Sequence, residues 1–154
     1  HKLHRILQVV MGWEGYHLYE FMVDGTRYSE SNPEGAPEEE DWKDSRRTKL
    51  AGVVSETGKL FTYVYDFGDM WRHVVVVERR HITEGIKQPA ICLGGERACP
   101  PEDCGGIGGY ESLVEIIATP THPAYAEQMH WLGARFDPNG FGLGSINRGL
   151  RRVR

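Results

Sequence analysis

The sequence predicts an α+β fold: an antiparallel sheet built from hairpins, with helices packed on one face. Three observations lead there. Two stretches dense in aromatic and β-branched residues are each broken by a connector too short for a crossover helix, so their strands must pair antiparallel. Segments whose apolar residues recur at helical spacing stand apart from those strands, one before them and the rest after. Strands that pair locally and helices that segregate define α+β rather than a doubly wound parallel sheet.

The elements follow in order. In "KLHRILQVVM", Leu3, Ile6, Leu7, Val10 and Met11 recur at three- and four-residue steps, which makes one amphipathic helix ended by Gly12 in the left-handed conformation. A chain that opens inside a helix suggests that an element normally preceding the helix is missing. Tyr19, Phe21 and Val23 then alternate with Glu20 and Met22 before Asp24-Gly25, a dipeptide that tolerates positive φ in a tight hairpin turn. From Ser29 to Arg47 the chain is acidic, carries two prolines and lacks apolar periodicity, and it reads as one solvated loop. A helical turn is expected around Leu50 to Val54. The runs "KLFTYVYDF" and "WRHVVVVERR", joined by "GDM", form a second hairpin. On its first strand Phe61, Tyr63, Tyr65 and Phe67 share one face, on its second Trp71, His73, Val75 and Val77 share one, and its aromatic density marks it as the centre of the sheet. "YESLVEIIA" and "PAYAEQMHWLG" have helical spacing, with Thr121 placed to cap the second and Pro123 in its first turn. A last short helix, "SINRGLRR", has Ser145 as its cap.

Size and charge narrow the function classes. At 154 residues, one domain buries most of its apolar surface without staples. A net charge of -4 and a pI near 6.0 provide no field that draws polyanions to the whole molecule. A nucleic-acid role therefore requires a local patch, in which Arg148, Arg151, Arg152 and Arg154 join Arg46, Arg47, Arg79 and Arg80 on one face. No apolar run is long enough to span a bilayer, and no leader pattern opens the chain, so a cytoplasmic location is expected. Three cysteines cannot all pair within one chain, and reduced thiols fit a reducing compartment.

Chemistry concentrates in two places. Asp66-Phe67-Gly68 resembles a protein-kinase signature, but the glycine-rich loop, strand lysine and catalytic aspartate that a kinase also needs are missing. Asp66, Gly68 and Asp69 instead suit a hairpin turn whose carboxylates accept backbone N–H groups, with Asp66, Asp69 and His73 as a polar cluster beside it. The other place is "CLGGERACPPEDCGG", with three cysteines, two prolines and four glycines in fifteen residues. Six residues separate Cys92 from Cys99 and four separate Cys99 from Cys104, neither being the two-residue knuckle of structural zinc. A zinc site would need Cys92, Cys99 and Cys104 plus a fourth ligand from His73, His122, His130 or Asp103. The alternatives are buried thiols that pack as small hydrophobes, or a thiolate nucleophile activated by a histidine. "GGIGGY" before a helix is a weak candidate anion cradle, since no P-loop lysine or dinucleotide pattern accompanies it.

Taken together, "GWEGYHLYEF", "YVYDFGDMWRHVVVVE", "CLGGERACPPEDCGGIGGYESL" and "WLGARFDPNGFGLGSINRGL" resemble the plasmid pRiA4b ORF-3-like protein family over nearly the whole chain. The resemblance implies a small α+β domain whose members usually carry a β-rich segment before the first helix. It supplies no established activity, although some relatives bear resolvase- or repressor-like labels. Relatives can replace Cys92 and Cys104, which argues against an obligatory three-cysteine zinc site. If the two motif blocks are neighbours, "ACPPEDCGG" folds against "DFGDMWRH" and gathers Asp66, Asp69, Trp71, His73, Glu102 and Asp103 at one edge. Such a cluster either binds a cation or polar ligand, or locks two loops through paired polar groups. The expected function is a noncatalytic binding or interaction module associated with plasmids or mobile elements. A DNA-associated protein and a metal-dependent or thiol enzyme are the alternatives, and the partner is a protein or a small polar ligand.

Overall fold

The computed structural model describes residues 1–30, 42–81, 90–133 and 136–153. Helix α1 spans Lys2–Met11 and stops where Gly12, at φ 79°, returns its N–H to the Gln8 carbonyl at 2.9 Å. Strands β1 (Tyr19–Val23) and β2 (Thr26–Ser29) form the first hairpin, its turn made by Asp24 and Gly25 at φ 49° and 81°. That double positive φ matches the right-handed twist of the strands it joins. Strands β4 (Leu60–Tyr65) and β5 (Trp71–Val76) form the second hairpin, antiparallel and in the predicted register of faces.

Three expectations about the sheet change. The stretch from Ser29 to Arg47 is not all loop: Trp42–Asp44 forms a short strand, β3, parallel to β2, and residues 31–41 lie outside the described part. Trp42 is held there by its indole N–H, which donates to Ser29 Oγ at 3.0 Å. One parallel pair thus joins an otherwise antiparallel sheet. The strand order is β3-β2-β1-β4-β5, so the aromatic hairpin is not central. β1 takes the middle because it pairs with both β2 and β4, which leaves β5 last in the sheet among the described residues.

The inward face of the sheet carries Tyr19, Phe21, Val23, Tyr28, Phe61, Tyr63, Tyr65 and Trp71, all buried. Leu3, Leu7 and Met11 of α1, Val53 of the short helix α2 (Leu50–Val53), and Tyr110 pack against them. Burial of each large side chain contributes about 1.5–3 kcal/mol. On the outward face Val64 is buried, whereas Leu60, Val74 and Val76 are exposed.

Among the described residues three more helices follow: α3 (Gly106–Ala118), α4 (Tyr125–Leu132) packed on α3, and α5 (Leu143–Leu150) packed on α1. The helix starts differ from the sequence expectation. Thr121 is no cap and Pro123 lies outside α4, because the chain turns first and His122 Nδ1 takes the Ala124 N–H at 3.1 Å. Ser145 is not the cap of α5 either; it sits in the first turn and its hydroxyl donates back to the Gly142 carbonyl at 2.7 Å. No helix among the described residues is long and apolar enough to cross a membrane.

Candidate functional site

Three segments far apart in sequence meet at the end of the second hairpin. The first leaves α1 at Trp13 and enters β1 through His17. The second is the turn between β4 and β5. The third is the loop before α3, residues 100–106. Trp13 donates its indole N–H to the Pro100 carbonyl at 2.9 Å, and the Glu14 amide donates to Glu102 Oε1 at 2.8 Å. The Tyr65 hydroxyl donates to the same Glu102 oxygen at 2.8 Å. Burial first, and the Glu102 bond second, push the Tyr65 phenol up, so it stays a donor. The Gly105 amide donates to Asp69 Oδ2 at 3.2 Å. At Gly106 (φ 68°) a Cβ would lie 3.1 Å from the Asp69 carbonyl oxygen, so only glycine lets the two turns come this close.

The centre of this clasp is the imidazole of His17. Its Nε2 lies 2.9 Å from Asp103 Oδ1, 3.7 Å from Asp66 Oδ2 and 4.0 Å from Glu102 Oε2. Asp66 is buried, sits at φ 56°, and fixes its other oxygen on the Gly68 amide at 2.9 Å. Asp103, also at φ 56°, is the exposed member. His17 Nε2 is itself buried, yet none of these neighbours is aligned to make a hydrogen bond with it. One ligand atom from each of His17, Asp66 and Asp103 lies within 4.8 Å of the others, close to the separation that ligands adopt around one divalent cation.

Of the predicted site residues, Asp66, Glu102 and Asp103 converge at His17, and Asp69 binds the loop backbone. Trp71 and His73 lie inward instead: their rings stand 6.3 and 5.5 Å from that of Trp13, inside the aromatic core. His73 points there because it shares the inward face of β5 with Trp71, and burial lowers its pKa. The set of Cys92, Cys99, Cys104 and His73 does not converge as metal ligands among the described residues. All three thiols are free; Cys99 and Cys104 pack against the core while Cys92 donates to the Gly94 carbonyl. Burial pushes the Cys99 thiol up to about 12 and that of Cys104 to about 11, which disfavours both as thiolate nucleophiles. His122 and His130, the remaining candidate ligands, lie just before and within α4.

His17 was missed by the sequence reading. A lone histidine before a strand has no spacing partner, and its partners lie more than forty residues on; its only flag was the quoted segment "GWEGYHLYEF". The basic patch is partly spent elsewhere: Arg46 and Arg47 both pair with Asp44, and Arg80 donates to the Ser55 carbonyl. Arg148, Arg151 and Arg152 lie in and just after α5, Arg79 is exposed beyond β5, and Arg154 lies outside the described residues.

Fold and site together define a class: an α+β protein with a mostly antiparallel sheet and a histidine–carboxylate clasp built from loops. The chain belongs to the plasmid pRiA4b ORF-3-like protein family, whose model matches residues 1–145. It is 37% identical to "Uncharacterized protein y4hQ" of Sinorhizobium fredii, over 97% of this chain and 76% of that protein. It is also similar to a crystal structure of the protein of unknown function MM3350 from Methanosarcina mazei, with a TM-score of 0.75 and 36% identity over 93% of this chain and 79% of that one.

Proposed function

We propose that the protein is a noncatalytic binding module whose clasp takes up one divalent transition-metal cation through His17, Asp66 and Asp103, with Glu102 as the outer carboxylate. One observation carries this reading: a buried imidazole nitrogen faces three carboxylates without an aligned hydrogen bond. Three carboxylates gathered around one imidazole nitrogen repel one another, and a cation placed between them relieves that repulsion. A mixed nitrogen and oxygen donor set suits manganese, zinc or iron rather than a purely oxygen-loving ion. Glu102 is already occupied by the Glu14 amide and the Tyr65 hydroxyl through Oε1, which leaves Oε2 for the cation or a bound water.

The test is calorimetric titration of Mn²⁺ and Zn²⁺ into untagged protein, with elemental analysis of the protein as purified. The expected result is about one equivalent, a raised thermal midpoint in the presence of metal, and affinity reduced at least tenfold in Asp66→Asn. If neither ion binds and chelation leaves the thermal midpoint unchanged, the clasp is only a hydrogen-bonded lock between loops. If Cys99→Ser abolishes metal while Asp66→Asn does not, the thiol set replaces this one.

A further inference from the structure

Beside the clasp, α3 and α4 enclose a hollow of about 360 Å³, within the size range of small-molecule sites. Its walls follow from helix periodicity. Gly109, Ser112, Leu113 and Ile116 recur along one face of α3, and Glu127, Gln128 and Trp131 along one face of α4. Leu113 is almost fully buried and floors it, whereas the Trp131 indole remains nearly half exposed on its wall. Asp103 and Cys104 close the end nearest the clasp.

The chemistry of this lining is one-sided. It holds two carboxylates, Asp103 and Glu127, two neutral polar groups, an aromatic face, and no lysine, arginine or histidine. The Cys104 thiol is held neutral by burial and by Asp69, so it adds a soft wall rather than another charge. Carboxylates beside an exposed indole favour a cation with an organic body: the charge meets the carboxylates, and its flank meets the ring face. An anion would be repelled, and a neutral apolar molecule would leave the carboxylates, Ser112 and Gln128 without partners.

We infer that this hollow is a binding site for a small organic cation, an alkylammonium or alkylguanidinium, held by Glu127, Asp103 and the face of Trp131. The site shares Asp103 with the clasp but does not depend on a metal there.

Agmatine is a suitable probe, with butyrate and 1-butanol as matched anionic and neutral controls, followed by calorimetry and tryptophan fluorescence. Saturable binding of agmatine without binding of either control is expected. Glu127→Gln should weaken it about fivefold or more. Trp131→Leu should weaken it about twofold to fivefold, with Trp131→Phe recovering part of the loss, as a cation over an exposed ring requires. All three substitutions lie on an exposed helix face, and circular dichroism checks that they fold. Agmatine affinity should be the same with and without a chelator such as EDTA, which separates this site from metal uptake at the clasp. Equal binding of butyrate or butanol, no saturable agmatine binding, or a Glu127→Gln affinity equal to the parent's overturns the inference.

Discussion

His4 and His17 belong to neighbouring segments and serve opposite ends. His4 is buried on α1, stacked on Tyr19 at 3.6 Å between ring centres, with Nδ1 2.8 Å from the Tyr63 hydroxyl. Gln8 shares that hydroxyl at 3.0 Å. Burial drives the His4 pKa down to about 4, so the ring is neutral and its polar atom is satisfied by other neutral groups. His17 stands among three carboxylates whose combined charge the imidazole alone does not balance. A neutral network of this kind, paired except at the buried Gln8 Oε1, holds a fold together. A cluster with charge left over is where an outside partner gains most.

Breaking the neutral network should cost the most. Tyr63 has no exposed surface and holds both His4 and Gln8, so Tyr63→Ala should lower the unfolding free energy by about 3–5 kcal/mol, measured by urea denaturation. If Asp66→Asn, measured alongside, cost as much, the division into a structural histidine site and a binding one would fail.

Acid should separate the two sites more gently. The His4 pKa of about 4 lies below its ordinary value of 6.5, so between those values the unfolded chain binds more protons than the folded one. Stability from this group is therefore complete above pH 6.5 and is lost as pH falls toward 4. The loss is on the order of 2 kcal/mol after allowance for screening. Denaturation midpoints from pH 7 to 4.5 should show this slope in the parent and a flatter one in His4→Gln; parallel slopes would contradict the assignment.

A steric break at Gly109 tests the clasp from a distance. A Cβ there would stand 1.9 Å from the Cys104 carbonyl oxygen, so Gly109→Ala must displace the loop that carries Glu102 and Asp103. The obstructing atom is backbone and cannot swing aside as a side chain would, so the cost should reach the upper part of the overpacking range, about 3 kcal/mol. Metal affinity should drop as well, although no ligand has been altered. Unchanged affinity would mean that the clasp does not depend on loop position.

How much of this is legible in the sequence follows from how local each feature is. The two hairpins, the end of α1 at Gly12 and the inward rows of β4 and β5 are written in neighbouring residues: Asp24-Gly25, the three-residue connector, and strict alternation. β3 was missed because Trp42–Asp44 is too short to show alternation and is fixed by pairing with β2. The order of strands depends on which hairpin edge meets which, and local pattern is silent on that. At the site, the meeting of the two motif blocks and three of their carboxylates were anticipated. The sequence points to His73 because it lies close to Asp66 along the chain, whereas strand alternation turns its ring into the core.

Trp13 gives the loop at 100–106 a property its composition would not suggest. The same indole that bonds to Pro100 stacks on Tyr65, with ring centres 4.7 Å apart, and adjoins Trp71 and His73. For that glycine-rich stretch to swing outward, either this tether must part or an aromatic plate must lift from the sheet. The aspartate and glutamate it presents are thus kept in place by the same cohesion that keeps the interior dry.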